Sequence, residues 1–154
     1  MLSIIKTLGY FGIFIVSLVS TSTILLPLPL YSIITIAASL GMNPLLVSFF
    51  SALGMSIGEF TGYFIGLGSG SLIEKRNRKL INRFEKFFKK YGILTVSLFA
   101  FLPFPFDIVG IMAGMGKHDI KKFFFATFIG KFFKALLLSY SGYLISRIIW
   151  QFYF

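Results

Sequence analysis

The chain has 154 residues, 56% of them hydrophobic, 19% aromatic and only 13% charged, with a mean hydropathy of +0.88. A soluble domain of this length has no use for so much apolar surface, so the composition is that of an integral membrane protein. The absence of cysteine excludes disulfides, thiolate metal sites and cysteine nucleophiles, and the single histidine, His118, leaves no histidine-based metal site or serine triad to build. The formal net charge is +10, yet eight of the fifteen basic residues crowd between Lys75 and Lys90. That placement suits a cytoplasmic juxtamembrane segment facing anionic lipid headgroups, at about 1 kcal/mol per cation near the surface. It does not suit nucleic acid, for which the chain carries no motif.

The first residues (MLSIIKTLGYFGIF) hold one lysine and no small-residue cleavage site directly after their apolar run, and read as a retained membrane segment. Residues 8–41 form one apolar stretch, broken at Pro27 and Pro29 and preceded by Ser20-Thr21-Ser22-Thr23. Proline ends a helix, and hydroxyls nearby can satisfy the backbone groups that such a break frees. The length of this stretch fits both a re-entrant hairpin and a full span followed by a short hairpin.

Gly41-Met42-Asn43-Pro44 marks a turn and a helix start, with Pro44 suited to the first helical turn. Residues 44–69 then read as a transmembrane helix with Gly54, Gly58, Gly62, Gly66 and Gly70 at every fourth position. This spacing puts the glycines on one face, where another helix approaches closely. The same face offers a surface for a homodimer. Residues 72–91 form an amphipathic helix, with Leu80, Phe84, Phe87, Phe88 and Tyr91 on its apolar side and basic residues between them.

The most distinctive stretch follows: residues 99–114, FAFLPFPFDIVGIMAG, broken by Pro103 and Pro105, with a carboxylate at Asp107. Broken backbone survives in lipid only when buried in protein or lining a wet cavity, and an ionisable side chain there marks a functional site. Residues 92–116 lie between the basic cluster Lys75 to Lys90 and a second one, Lys117, Lys121 and Lys122. A full span would put these clusters on opposite membrane faces, whereas a re-entrant hairpin keeps both inside. Residues 119–150 are the last transmembrane helix, with Asp119 as N-cap, Lys131 and Lys134 well inside the apolar run, and Trp150 near its end. His118, in a basic loop, reads as a solvated residue.

The two halves share an ordered set of matches. Tyr10-Phe11-Gly12 pairs with Tyr91-Gly92, Leu26-Pro27-Leu28-Pro29 with Leu102-Pro103-Phe104-Pro105, and Gly41 with Gly116. Ile57-Gly58-Glu59 pairs with Ile129-Gly130-Lys131, and Thr61 to Ile65 with Ser141 to Ile145. The expected fold is therefore an all-α membrane protein forming a single domain over residues 1–154. Repeat 1 covers about 8–70 and repeat 2 about 91–150, each a proline-broken re-entrant hairpin plus one transmembrane helix, joined by the cytoplasmic amphipathic helix. The long helices run in opposite directions, which makes the repeat inverted and places a transport site at the midplane between the broken elements.

Helix rise supports a common depth for the charges. At about 1.5 Å per residue, Glu59, Asp107 and Lys131 all lie about 15–17 Å from the cytoplasmic side of a core roughly 30 Å thick. Lys134 follows one turn after Lys131, so two acids and two bases are expected in one buried cluster. The plain alternative is a structural Glu59–Lys131 ion pair. Gly54, Gly58, Gly62, Gly66 and Gly130 are expected to serve helix packing.

Taken together these residues resemble the DedA (VTT, or SNARE-associated Golgi protein) membrane family, closest to its short YqaA-like branch. The resemblance covers roughly residues 8–146. It rests on Pro27-x-Pro29, Gly58-Glu59-x-x-Gly62-Tyr63-x-x-Gly66, the Phe87 to Gly92 stretch, Pro103-x-Pro105-x-Asp107, Ala113-Gly114 and Gly130-Lys131-x-x-Lys134. Many members place a glutamate shortly after the first Pro-x-Pro, where this chain has Tyr31, and larger members carry arginines where it has Ala100 and Phe106. The resemblance implies flipping or scrambling of phospholipids or polyprenyl-phosphate carriers, in the cell membrane. The residues offer no hydrolytic constellation, so no enzymatic reaction, metal or cofactor is expected. Lys131 and Lys134 would hold a phosphate headgroup and Glu59 or Asp107 a proton. A proton- or ion-coupled solute transporter and a non-transporting membrane scaffold are the competing expectations.

Overall fold

The computed structural model describes residues 2–23, 29–68, 79, 82–83, 86, 88, 92–102 and 106–153. Pro27, Pro103, Pro105, Gly70 and most of the basic segment 72–91 lie outside the described residues. Among the described residues the chain is all helical: α1 (Leu2–Ser22), α2 (Leu30–Ser39), α3 (Pro44–Gly58), α4 (Ile93–Phe101), α5 (Phe106–Met115) and α6 (Ile120–Tyr153). The α3 rod continues through Glu59 (φ −68°, ψ −11°), so that Pro44–Gly68 makes a 25-residue apolar span. Ile120–Ile149 makes a second one of 30 residues. At about 1.5 Å per residue both exceed the roughly 30 Å hydrocarbon core.

Short polar and left-handed positions set where these helices begin and end. α2 closes with Gly41 at φ 90°, where the N–H groups of Gly41 and Met42 donate back to the carbonyls of Ala38 and Ala37. Two residues on, Asn43 Oδ1 accepts from the N–H of Leu45 (3.0 Å) and Leu46 (3.5 Å), capping α3, and Pro44 takes the first turn. The same connector recurs in the second half, with Lys117 in the place of Gly41 and Asp119 in that of Asn43. Lys117 stands at φ 50°, the N–H groups of Lys117 and His118 donate to Gly114 and Ala113, and Asp119 Oδ1 accepts from Lys121 (2.8 Å) and Lys122 (3.2 Å). The counterpart of Gly41 is thus Lys117, not Gly116.

Helix packing follows the same register, the offset that carries Asn43 to Asp119. A Cβ at Gly54 would lie 2.3 Å from the Phe14 carbonyl oxygen, and one at Gly130, its counterpart on that offset, 2.2 Å from that of Ser97. A Cβ at Gly66 would lie 2.0 Å from the Ile111 oxygen, and one at Gly142 2.2 Å from the Thr35 oxygen. Here both the glycines and their partners, Thr35 and Ile111, are counterparts on the one offset. So α1 packs on α3 and α4 on α6, while α2 lies against α6 and α5 against the later turns of the first span. The Glu59–Lys131 and Gly62–Gly142 alignments suggested by the sequence are each off by four residues, about one helical turn, which keeps the same face and so hides the error. Gly12 is likewise displaced. The backbone counterpart of Gly92 (φ 54°, ψ −125°) is Gly9 (φ 56°, ψ −130°), which lengthens the stretch between glycine and Pro-x-Pro in the first half by about two turns.

Two apolar clusters result, each sealed by a residue from the other half. One gathers Ile13, Val16, Ile34, Val47 and Met55 with Ala135, and the other Val96, Ala100, Val109 and Phe123 with Tyr63. The outward surface remains apolar, as a lipid-facing surface must. On the glycine face, Gly54 and Gly58 are covered within the chain by α1, and Gly62 and Gly66 by α5.

Two local expectations need correcting. Of the Ser20 to Thr23 hydroxyls, Thr23 reaches terminal carbonyls of α1 (Val19, 2.9 Å; Ser20, 3.4 Å), whereas those of Ser20, Thr21 and Ser22 bond back to carbonyls already within the helix, and that of Thr21 also lies 3.2 Å from the Met55 carbonyl of α3. His118 is not a freely solvated loop residue. Its ring stacks on Phe88 at 3.8 Å and its carbonyl accepts from Tyr63 Oη at 2.5 Å, which ties the end of the basic segment to the core. The described basic residues of that segment, Lys79, Arg83 and Lys86, are exposed, and Phe88 is half-buried against the second cluster.

Gly66→Ala is expected to destabilise the fold by about 1–3 kcal/mol, because backbone has to move to admit the methyl. Gly68→Ala, with nothing within 4 Å of its Cβ, should leave stability unchanged or slightly raised. Thermal unfolding in detergent separates the two. At Asp119 the backbone N–H groups of Lys122 and Lys121 hold the carboxyl below its ordinary range. A lowered folded pKa means that the cap's stabilisation is present above the ordinary carboxylate pKa, roughly 4, and is lost as pH falls through the lowered value. Asp119→Asn, which caps without a charge, should remove that acid sensitivity from the unfolding profile.

Candidate functional site

Glu59 sits where the first long helix passes from α3 into its later turns. Its N–H donates to Met55 and its carbonyl accepts from Tyr63, both at 3.2 Å, so the rod carries the side chain into the bundle without a break. Small residues make room there. Gly62 faces the Asp107 carbonyl and Gly110 faces that of Glu59, at 3.4 and 3.5 Å from their would-be Cβ atoms. The first turn of α5 is thereby held against Glu59.

Opposite, α6 delivers Lys131, whose Nζ bonds Glu59 Oε1 as a salt bridge. Each residue is 3% exposed. The ammonium also lies over the Phe106 ring, 5.1 Å from its centroid. The second carboxylate oxygen, Glu59 Oε2, is buried and has no hydrogen-bond partner among the described residues, like the hydroxyl of Thr127 one turn before Lys131. Neutralising a buried ion requires a close opposite charge, and the pair meets that requirement with capacity left over on the acid.

Asp107 occupies the first turn of α5, half-buried, where a helix N-terminus favours negative charge. It interacts electrostatically with Lys131 and Glu59 but forms no ion pair among the described residues. Lys134 turns elsewhere. Its Nζ donates to the Leu102 carbonyl at 2.8 Å, lies 3.5 Å from Tyr31 Oη, and stands 5.4 Å from the centre of the Tyr31 ring. The four charges therefore form a buried pair with two half-buried neighbours, not one fully buried cluster. Pro29 is the N-cap of α2 (φ −73°, ψ 54°), one residue before Leu30 and two before Tyr31.

Tyr31 and Phe106 are the site residues that the sequence reading left out. Tyr31 is the counterpart of Asp107 on the offset shared by the two halves, so the constant register from Pro-x-Pro to helix cap was the signal that could have found it. The site is asymmetric on this register: Tyr31 opposite Asp107, Gly58 opposite Lys134, and Met55 opposite Lys131. Two grooves are lined by neighbours of Lys134, Phe133 in one and Tyr31 in the other. One, about 660 Å³, runs between α4 and α6; the other, about 300 Å³, lies between α2 and α6 and includes Tyr31, Ser32 and Thr35.

An all-helical bundle with two long apolar spans and a salt bridge buried halfway along them defines a helical membrane protein with a charged interior site. The chain belongs to the VTT-domain (DedA) family: the family's model matches residues 26–144. It is similar to an uncharacterized protein of Methanocaldococcus jannaschii, 27% identical over 133 residues that cover 85% of this chain and 82% of that one. It is also similar to an uncharacterized membrane protein of Buchnera aphidicola, 30% identical over 82 residues, which are 50% of this chain and 32% of the other. No solved structure matches.

Removing one member of the pair strands a buried charge. Lys131→Met is expected to destabilise the protein by about 3–5 kcal/mol, and Glu59→Gln/Lys131→Met to recover most of that loss. A double-mutant cycle by thermal unfolding measures the coupling directly.

Proposed function

We propose that the protein is a lipid translocator of the cell membrane, moving phosphate-headed lipids past a site formed by Glu59, Asp107, Lys131 and Lys134. The carrying observation is a charge pair buried between the two long spans, with a second cation, Lys134, held by neutral oxygens among the described residues. A structural ion pair alone has no need of Asp107 and Lys134 beside it. Membership of the VTT-domain family supports transport as the activity.

On this reading the two halves are an inverted repeat of proline-broken, re-entrant hairpins, each followed by one span. The shared register of turns, caps and close glycine contacts supports it. The basic segment 72–91 lies on the cytoplasmic face, against anionic headgroups, as the lysine and arginine distribution favours. The N-termini of the helices after the breaks attract the phosphate, while the hydrocarbon chains stay in lipid. The work is binding and movement, with no bond made or broken in the lipid.

Headgroup-labelled lipid in proteoliposomes tests the proposal. Wild type should accelerate flipping, and Asp107→Asn and the Glu59→Gln/Lys131→Met double variant should each lower the rate about tenfold or more, which is about 1.4 kcal/mol of barrier. No acceleration of any phospholipid or polyprenyl phosphate, with or without a pH gradient, would sink lipid translocation and turn the search to ion or solute flux. Intact flux in both variants would return the pair to a structural role.

A further inference from the structure

In the first half, α1 closes on α3 at two successive turns, with the would-be Cβ of Gly54 2.3 Å from the Phe14 oxygen and that of Gly58 2.7 Å from the Leu18 oxygen. In the second half, Gly130 admits α4 in the same way, but the counterpart of Gly58 is Lys134. A lysine there cannot let backbone approach. Its ammonium instead reaches the Leu102 carbonyl just past the end of α4. Where α1 and α3 are shut, α4 and α6 leave a groove of about 660 Å³, lined by Leu94, Leu98 and Phe101 on one side and by Phe133, Leu136 and Leu137 on the other.

Its walls are apolar and turned outward: Leu94 is 72% exposed and Leu137 60%. From Leu94 to Phe101 it runs about 10 Å along α4. The Lys134 ammonium bonds the carbonyl of Leu102, next to Phe101 at one end of the groove, and on its other side approaches Tyr31, which lines the smaller groove with Ser32, Thr35, Ile36 and Leu138. An apolar trough, then a cation, then a groove that carries three hydroxyl residues follows the polarity order of an anionic lipid from chain to headgroup. The division between the two lysines is also clear. Glu59 forms its salt bridge with Lys131, whereas the hydrogen-bond partners of Lys134 among the described residues are neutral oxygens, which leaves its ammonium without an ion pair and able to take an anion.

We propose that the α4–α6 groove seats a hydrocarbon chain of an anionic phospholipid whose phosphate binds Lys134. This rests on the translocation reading and names the place where its substrate docks from the bilayer. The lipid enters sideways through the second half, because the first half is closed by its glycines.

Full-length protein in phosphatidylcholine vesicles, given trace phosphatidylglycerol with a photoreactive acyl chain, tests this. Labelling should concentrate at Leu94 to Phe101 and Phe133 to Leu137, and excess unlabelled phosphatidylglycerol should suppress it. Neither diacylglycerol nor inorganic phosphate should do so, the latter separating a lipid headgroup from a free anion. Lys134→Gln should lower the competable labelling about tenfold. Leu137→Trp, which fills the groove from an exposed position, should lower labelling and flipping together while unfolding stays at the wild-type temperature. Labelling spread evenly over outward positions such as Phe49 and Ile145, or unchanged in Lys134→Gln, overturns the site. If wild type flips lipid and Leu137→Trp changes neither flux nor labelling, the groove falls and translocation stands. If wild type labels competably and does not flip, the site stands and translocation falls.

Discussion

Close backbone contact through glycine is the constraint on which the rest of this structure depends. In lipid no hydrophobic force draws helices together, so association rests on contact between surfaces that fit. Gly54, Gly58, Gly66, Gly130 and Gly142 each stand where a methyl would meet a carbonyl oxygen or neighbouring backbone well inside contact distance. These approaches hold the four short helices against the two long ones.

The buried pair is a consequence of that frame. Glu59 and Lys131 come from different halves, and each would carry a large desolvation penalty if it faced lipid or an apolar core alone. Gly62 and Gly110 let α5 approach the Glu59 turn, and with it come Phe106 under the Lys131 ammonium and Asp107 beside the pair. A small change in packing at these glycines would therefore disturb the electrostatics of the site as well as the fold.

The departures from the repeat are as informative as the repeat. The helix caps, the turns before them and the contact glycines Gly54/Gly130 and Gly66/Gly142 recur with one register, while the site residues do not: Met55, Gly58 and Tyr31 answer to Lys131, Lys134 and Asp107. The frame is held common to both halves and the chemistry is concentrated in one. Lys134 also brings a charge to the position where the first half has a contact glycine, and its ammonium reaches the Leu102 carbonyl just past α4.

Composition and pattern by themselves determined that the chain is a helical membrane protein, where its two long spans lie, and which residues cap them. The Asn43-Pro44 and Asp119 starts were legible because capping is local chemistry, confined to about one helical turn. The glycine spacing announced close packing, but not against what, since a helical face is periodic and its partner is not written in the segment itself. The same periodicity hid a slip of about one turn in aligning Glu59 with Lys131, because one turn restores the face. Only the tertiary structure decided that Lys134 turns from the pair toward Leu102 and Tyr31, that His118 stacks on Phe88, and that one half is shut where the other is open. Those outcomes depend on contacts between residues far apart in the chain, such as Lys134 with Tyr31 and Glu59 with Lys131, and only their packing brings them together.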